Sequence, residues 1–209
     1  MKKLIILTFF FFIFSNVFGQ WSNKFSSRWS EKHFLYASGD VMVGNYNGGD
    51  LGINYIFDGK YSVKFGFSAT NKQSASQPLD FLKSSENEIP PNFNLPSENL
   101  ENFHIMIGRV ISLNSKENFR IILQGGPGLC NARIPTNWQW QDNNLYQANY
   151  NYDIQIKKEI SLILNPKIEF PLSSLVGFSF GPMIMISERQ SFFGAGIGIM
   201  YGIIGAKTI

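Results

Sequence analysis

Residues 191–204 read Ser-Phe-Phe-Gly-Ala-Gly-Ile-Gly-Ile-Met-Tyr-Gly-Ile-Ile. Phe193, Ala195, Ile197, Ile199, Tyr201 and Ile203 occupy the odd positions, and Gly194, Gly196, Gly198 and Gly202 occupy even ones. Side chains alternate between the two faces of a strand, so one face of this stretch is apolar and the other is nearly bare backbone. A soluble sandwich strand would set apolar bulk on one face against solvated polar groups on the other. Aliphatics towards hydrocarbon and small residues towards a crowded interior are instead what the wall of a barrel in lipid requires.

Working outward, the same alternation recurs. Leu35, Ala37, Gly39, Val41 and Val43 oppose Phe34, Tyr36, Ser38, Asp40 and Met42. After a turn read at 45–49, Leu51, Ile53, Tyr55 and Phe57 lie over Gly52, Asn54 and Ile56, and Asp58-Gly59 marks a tight hairpin. Tyr61 to Thr70 alternates, as do Phe103 to Gly108 and Phe119 to Gly126, with Pro127-Gly128 read as leading out of the strand. Ile160 to Phe170, Phe178 to Ile186 and the glycine strand complete about eight strands, the even number that a single-chain membrane barrel needs. The segments 71–99 and 131–152 break the pattern and are expected to be long external loops. Short turns at Asp58, Asn114 and Pro171 then share one end of the barrel and both long loops the other, the usual asymmetry about the membrane. The expected fold is therefore all-β, a closed antiparallel up-and-down transmembrane barrel over 33–209.

Lys2 and Lys3, the apolar run Leu4–Phe14 and the sequence Val17-Phe18-Gly19 mark residues 1–19 as a secretory signal peptide; the run is too short for a spanning helix. Residues 20–32 carry Trp21, Phe25 and Trp29 among polar residues and read as a short periplasmic leader at the interface or as a disordered N-terminus. The chain has 18 Lys+Arg against 15 Asp+Glu, and without Lys2 and Lys3 the balance is 16 against 15, which gives no basic surface for nucleic acid. Cys130 is the single cysteine, so no internal disulfide holds the exported chain.

The signal peptide, the alternating segments and the strands Gly-Phe-Ser-Phe-Gly-Pro and Gly-Ala-Gly-Ile-Gly-Ile-Met-Tyr-Gly together resemble the small outer-membrane β-barrel proteins of Gram-negative bacteria, in particular the OmpA/OmpX-type transmembrane domain and porin-like barrels. The resemblance covers 33 to about 205 and is one of pattern, without a motif that transfers functional residues. It implies outer-membrane localisation, outer-membrane lipid and the barrel-assembly machinery as partners, and an extracellular ligand or surface partner of unspecified kind. Such chains commonly close on a terminal aromatic, whereas here Tyr201 and Ile203 precede the tail 205–209.

Catalytic and cofactor chemistry finds little support. The glycine runs lack phosphate-loop spacing. His33 and His104 lie on different strands without metal-ligand spacing, so no metal, cofactor or enzymatic activity is expected. Asp40, Lys64, Arg120, Lys167 and Glu169 fall on the polar faces and form a candidate lumen charge cluster. Charges of both signs in a narrow bore favour a plug of paired groups over a conduction path. A salt bridge between Arg120 and Glu169, shared with Lys167, is expected near the short-turn end. Trp138 and Trp140, two apart, are candidates for a stacking platform on an external loop, against the alternative of an ordinary aromatic rim. These readings lead to a structural or surface-interaction protein with a plugged lumen, with a narrow passive channel as the alternative and a soluble ligand-holding barrel as a third.

Overall fold

The structure is a computed structural model and describes residues 33–81, 96–113, 119–141 and 149–205. The expected signal peptide, 1–19, and leader, 20–32, lie outside the described residues. Nine strand segments follow in order: β1 (Phe34–Gly44), β2 (Asn47–Phe57), β3 (Tyr61–Gln73), β4 (Ser97–Ser112), β5 (Arg120–Trp140), β6 (Tyr150–Leu164), β7 (Lys167–Pro171), β8 (Val176–Ser187) and β9 (Ser191–Ile203). Each pairs antiparallel with its neighbours, and β9 returns to β1 from Leu35↔Ile203 to Gly44↔Gly194, which closes the ring.

The nine segments make eight staves, because β6 and β7 are one stave with a gap. Against β5 the register runs on from Leu164↔Gly125 to Lys167↔Ile122, and against β8 from Leu164↔Ile184 to Ile168↔Phe180. The gap falls at Asn165-Pro166. Pro166 has no N–H to give to the ladder, and the same register sets it level with Pro182, which lacks one too. Asn165 compensates: its backbone N–H donates to the Gln124 carbonyl at 2.9 Å and its Nδ2 to the Pro182 carbonyl at 2.9 Å.

Facing follows the alternation. Leu162 and Ile197 point outward and are 55% and 65% exposed, whereas the intervening Ser161 and Gly198 are buried. Val41, Ile53, Phe65, Ile107, Leu129 and Phe180 join the outward belt, while Asp40, Lys64, Asn102 and Glu169 are buried inside. A barrel with its apolar side chains out and its charges in is stable only with hydrocarbon around it. The Asp58-Gly59 hairpin forms as expected: φ is 51° and 62° at the two residues, the left-handed pair of a type I′ turn, and the Lys60 N–H donates to the Phe57 carbonyl at 3.0 Å.

The expected loop boundaries need correction. β3 runs to Gln73 and β4 starts at Ser97, so the first long connection is 74–96 rather than 71–99. β5 passes through Pro127-Gly128 to Trp140, and the second is 141–149 rather than 131–152. The turn read at 45–49 is two residues, Asn45-Tyr46, since β2 begins at Asn47. The reason is common to all three. Beyond the hydrocarbon neither strand face has to be apolar, so the alternation that betrays a strand fades while the ladder continues.

Candidate functional site: a filled lumen and a projecting hairpin

The inward faces build a packed interior. Along β1 from the short-turn end come Phe34, Tyr36, Ser38, Asp40 and Met42; along β9 from the other end come Phe192, three glycines and Met200. Phe34, Tyr36, Ile56, Val110, Ile122, Met200 and Ile204 form an apolar cluster at the short-turn end. A second cluster at the long-hairpin end includes Met42, Leu100, Met183, Met185 and Phe192. On β1 and β9 the polar layer lies between them.

Arg120 and Glu169 are direct cross-strand partners, and Arg120 Nε donates to Glu169 Oε2 at 2.7 Å. The Tyr36 hydroxyl donates to Glu169 Oε1 at 2.7 Å, and Arg120 Nη1 donates to the Ile204 carbonyl at 3.0 Å. The guanidinium also lies 5.3 Å from the Phe34 ring centre, a cation–π contact in a buried site. Lys167 does not share this bridge as expected. It donates to Asp40 at 2.5 Å, and Ser179 Oγ donates to the other Asp40 oxygen at 3.0 Å. Lys167 lies two residues before Glu169 on the same face, which carries its ammonium towards β1 and away from Arg120.

Lys64 is fully buried and pairs with Asp50. His104 Nε2 lies 3.3 Å from Asp50 Oδ1 but is not aligned for a hydrogen bond. Ser161 Oγ donates to Asn102 Oδ1 at 2.8 Å, and Asn102 Nδ2 lies 3.4 Å from His104 Nδ1. Three buried cations thus face three buried carboxylates. The small inward residues make room for them: a Cβ at Gly198 would overlap Asp40, one at Gly52 would overlap Lys64, and one at Gly66 would overlap His104. The gap lined by Asp40, Met42, Asp50, Lys167 and Met183 is too tight for a water-sized sphere.

The five charges singled out from the sequence therefore fall into three separate ion pairs, with Asp50 the partner that sequence reasoning missed. Asp50 shares the parity of Gly52 and Asn54; reading the preceding turn as two residues exposes it. His104 joins the same interior, while His33 is outside, with Nδ1 2.9 Å from the Tyr55 hydroxyl. Among the described residues no group of three or more His, Cys, Asp or Glu is arranged to hold a metal.

The other feature is the β5–β6 hairpin. β6 pairs with β8 only from Ser161 to Leu164, because β8 ends at Ser187. Residues 150–160 have β5 as their strand neighbour and project beyond the ring. Near the end of β5, Trp138 lies within a register shift between Thr136 and Gln139, where Asn137 adopts φ 55°, and Trp140 lies just past it. Trp138 is taken up in packing: its ring centre is 4.8 Å from that of Tyr152 and 5.8 Å from that of Phe81, and its Nε1 donates to Ser76 Oγ at 3.1 Å. Trp140 is 60% exposed.

A closed ring, a lipid-facing belt and a charge-paired interior define a transmembrane β-barrel. The chain is similar to solved structures of small outer-membrane barrels. One is Ail, the attachment invasion locus protein of Yersinia pestis, in complex with the heparin analogue sucrose octasulfate, at 12% identity and a TM-score of 0.45 over 81% of this chain and 95% of that one. Others are Neisserial surface protein A, at 8% identity and a TM-score of 0.46 over 81% and 96%, and the N-terminal β-barrel domain of Pseudomonas aeruginosa OprF, at 9% and 0.43 over 81% and 95%. No protein-family model and no curated protein sequence matches the chain.

Proposed function

We propose that this chain is exported through its 1–19 signal peptide, is inserted by the barrel-assembly machinery into the outer membrane of a Gram-negative bacterium, and serves there as a non-conducting structural or surface-interaction protein. The observation that carries the reading is the filled interior. Asp40–Lys167, Asp50–Lys64 and Glu169–Arg120 neutralise one another inside the bore, and an ion passing through would have to break pairs that are shielded from water. On this reading the short-turn end is periplasmic and the β5–β6 hairpin stands on the cell surface. No catalytic role is assigned, since His104 and Ser161 are buried in the interior, out of reach of a substrate.

Two measurements test the reading together. The folded protein should be released from membranes only by detergent, and in planar bilayers it should pass no steady current. Large open currents from the wild type would replace the plug with the narrow passive channel.

A further inference from the structure

At the level of Pro166 the neighbouring staves exchange no backbone hydrogen bond. The Asn165 N–H points to β5, so the adjoining Pro166 turns its backbone towards β8, where Pro182 stands level with it and has no N–H either. Pairing holds at Leu164↔Ile184 above and resumes at Ile168↔Phe180 below, an interval of about 13 Å along the stave. Across it the Asn165 side chain stands in for the ladder, with Nδ2 donating to the Pro182 carbonyl at 2.9 Å. Outside, Pro182↔Ala195 is a low rung between the bulkier Ile184↔Phe193 and Phe180↔Ile197. Inside, Gly181 and Gly196 leave the wall bare, and with Asn165, Lys167 and Met183 they border the interior gap described above. Met42, Asp40 and Asp50 complete its lining. Asp50 is 1% exposed, and its Oδ1 has no hydrogen-bond partner. The gap behind the seam thus joins an adaptable thioether rim to a buried acceptor in want of a donor.

We infer that the Pro166–Pro182 seam is a lateral port through which a neutral, hydroxyl-bearing amphiphile dissolved in the membrane, of the medium-chain alcohol class, enters the gap and donates to Asp50 Oδ1. The inference rests on the membrane reading above. Hydrocarbon stands outside the seam, so what enters is soluble in it. A bare alkane would leave Asp50 unsatisfied, and an anion would meet two carboxylates, Asp40 and Asp50, whose lysines are already engaged. A neutral hydroxyl supplies the missing donor and adds no charge. The closed gap holds no water-sized sphere, so entry requires Met42 and Met183 to swing aside, a motion that unbranched thioethers make readily. The staves part where the ladder has no bonds to break. Because the port opens sideways and leaves the ion pairs in place, it carries no ions along the bore.

The test uses the mature protein folded in nanodiscs and irradiated with decanol carrying a diazirine, or with decane or decanoate carrying the same group, followed by mass analysis of the labelled residues. Decanol should label Met42 and Met183 on the order of tenfold more than either comparison probe, the ratio that one hydrogen bond to a charged acceptor supplies. Pro166→Ala with Pro182→Ala returns both donors to the ladder and should abolish labelling of the two methionines, while the outward Phe180 and Ile184 stay labelled as in the wild type. Should that pair fail to fold, Gly196→Ala, which puts a methyl group into the gap, should produce the same loss. Undiminished interior labelling in the variant that folds, equal interior labelling by decane and decanol, or label confined to outward residues overturns the inference. A barrel that inserts and passes no current yet takes no label inside overturns this inference alone, because insertion and current are read separately.

Discussion

Glu169 holds two donors at once, the Arg120 guanidinium and the Tyr36 hydroxyl, and all three groups are buried. Glu169→Gln removes the counter-charge while leaving the guanidinium in place, and an uncompensated buried charge costs about 3–5 kcal/mol. Urea unfolding in lipid vesicles should show a loss of that order; a loss under about 1 kcal/mol would mean that water already reaches the site. The glycines opposite the middle charges give a sharper comparison. Gly198 backs onto Asp40, whose carboxylate is held by Lys167 and Ser179, so it has no room to retreat. Two residues away, a Cβ at Gly196 would find its nearest neighbour, Met42 Cγ, at 3.4 Å, an ordinary contact. Gly198→Ala should therefore lose about 1–3 kcal/mol by overpacking, with Gly196→Ala within about 0.5 kcal/mol of wild type. Equal losses at the two positions would refute the crowding argument. Alternation alone treats the two glycines as equivalent; the difference comes from their partners on the adjacent strand β1, Asp40 beside Gly198 and Met42 beside Gly196.

At the scale of the strand, facing is the property on which the membrane assignment depends. Leu162 on β6 is outward and pairs with the outward Pro127 and Ile186. Leu162→Arg puts a charge into hydrocarbon and should cost roughly 2–4 kcal/mol of folding stability in vesicles, with little change for Leu162→Phe. A protein that tolerates the arginine and stays in solution without detergent would instead be a barrel in water. The β6–β7 stave also shows how an element survives a local fault. Pro166 and Pro182 remove two donors at one level, yet the register on both sides is unchanged because Asn165 fills part of the gap.

The whole molecule is held at its long-hairpin end by a contact between connections distant in sequence. Tyr46, in the β1–β2 turn, donates to Gln190 Oε1 at 2.6 Å from between β8 and β9 and lies 3.1 Å from Glu98 Oε2 on β4. Glu98 also accepts the Ala75 N–H at 2.9 Å and pairs with Lys72 at 3.1 Å. Burial alone would raise the Glu98 pKa, but the Ala75 N–H, Lys72 and Tyr46 outweigh it and hold the carboxyl below its ordinary value. A carboxyl depressed in the folded state stabilises above its unfolded pKa, about 4.3, and that contribution fades as the pH falls through the folded value. The latch should thus be intact at neutral pH and release only when the pH falls below the ordinary carboxylate range. Hydrogen exchange at the Ala75 amide should accelerate there relative to strand amides, and Glu98→Gln should flatten that pH dependence. Release near neutral pH would show that another group governs the mouth.

The amino-acid sequence by itself determined the stave count, the Asp58-Gly59 hairpin and the facing of each lipid-embedded segment, because hydrocarbon outside and crowding inside impose opposite demands on alternate residues. It also placed Arg120 opposite Glu169, since both flank short turns on neighbouring strands. Where lipid ends, that constraint ends, and the strands beyond Thr70 and Asn131, with Trp138 and Trp140, read as loop although the ladder runs through them. Only the tertiary structure decided that Lys167 reaches Asp40, that Asp50 completes the Lys64 pair and that Gly198 is tighter than Gly196. The Lys167–Asp40 pair crosses the interior between β7 and β1, Gly198 meets Asp40 only because β9 closes on β1, and Lys64 reaches Asp50 through the register of β2 on β3; ring closure and register are not encoded in any local pattern.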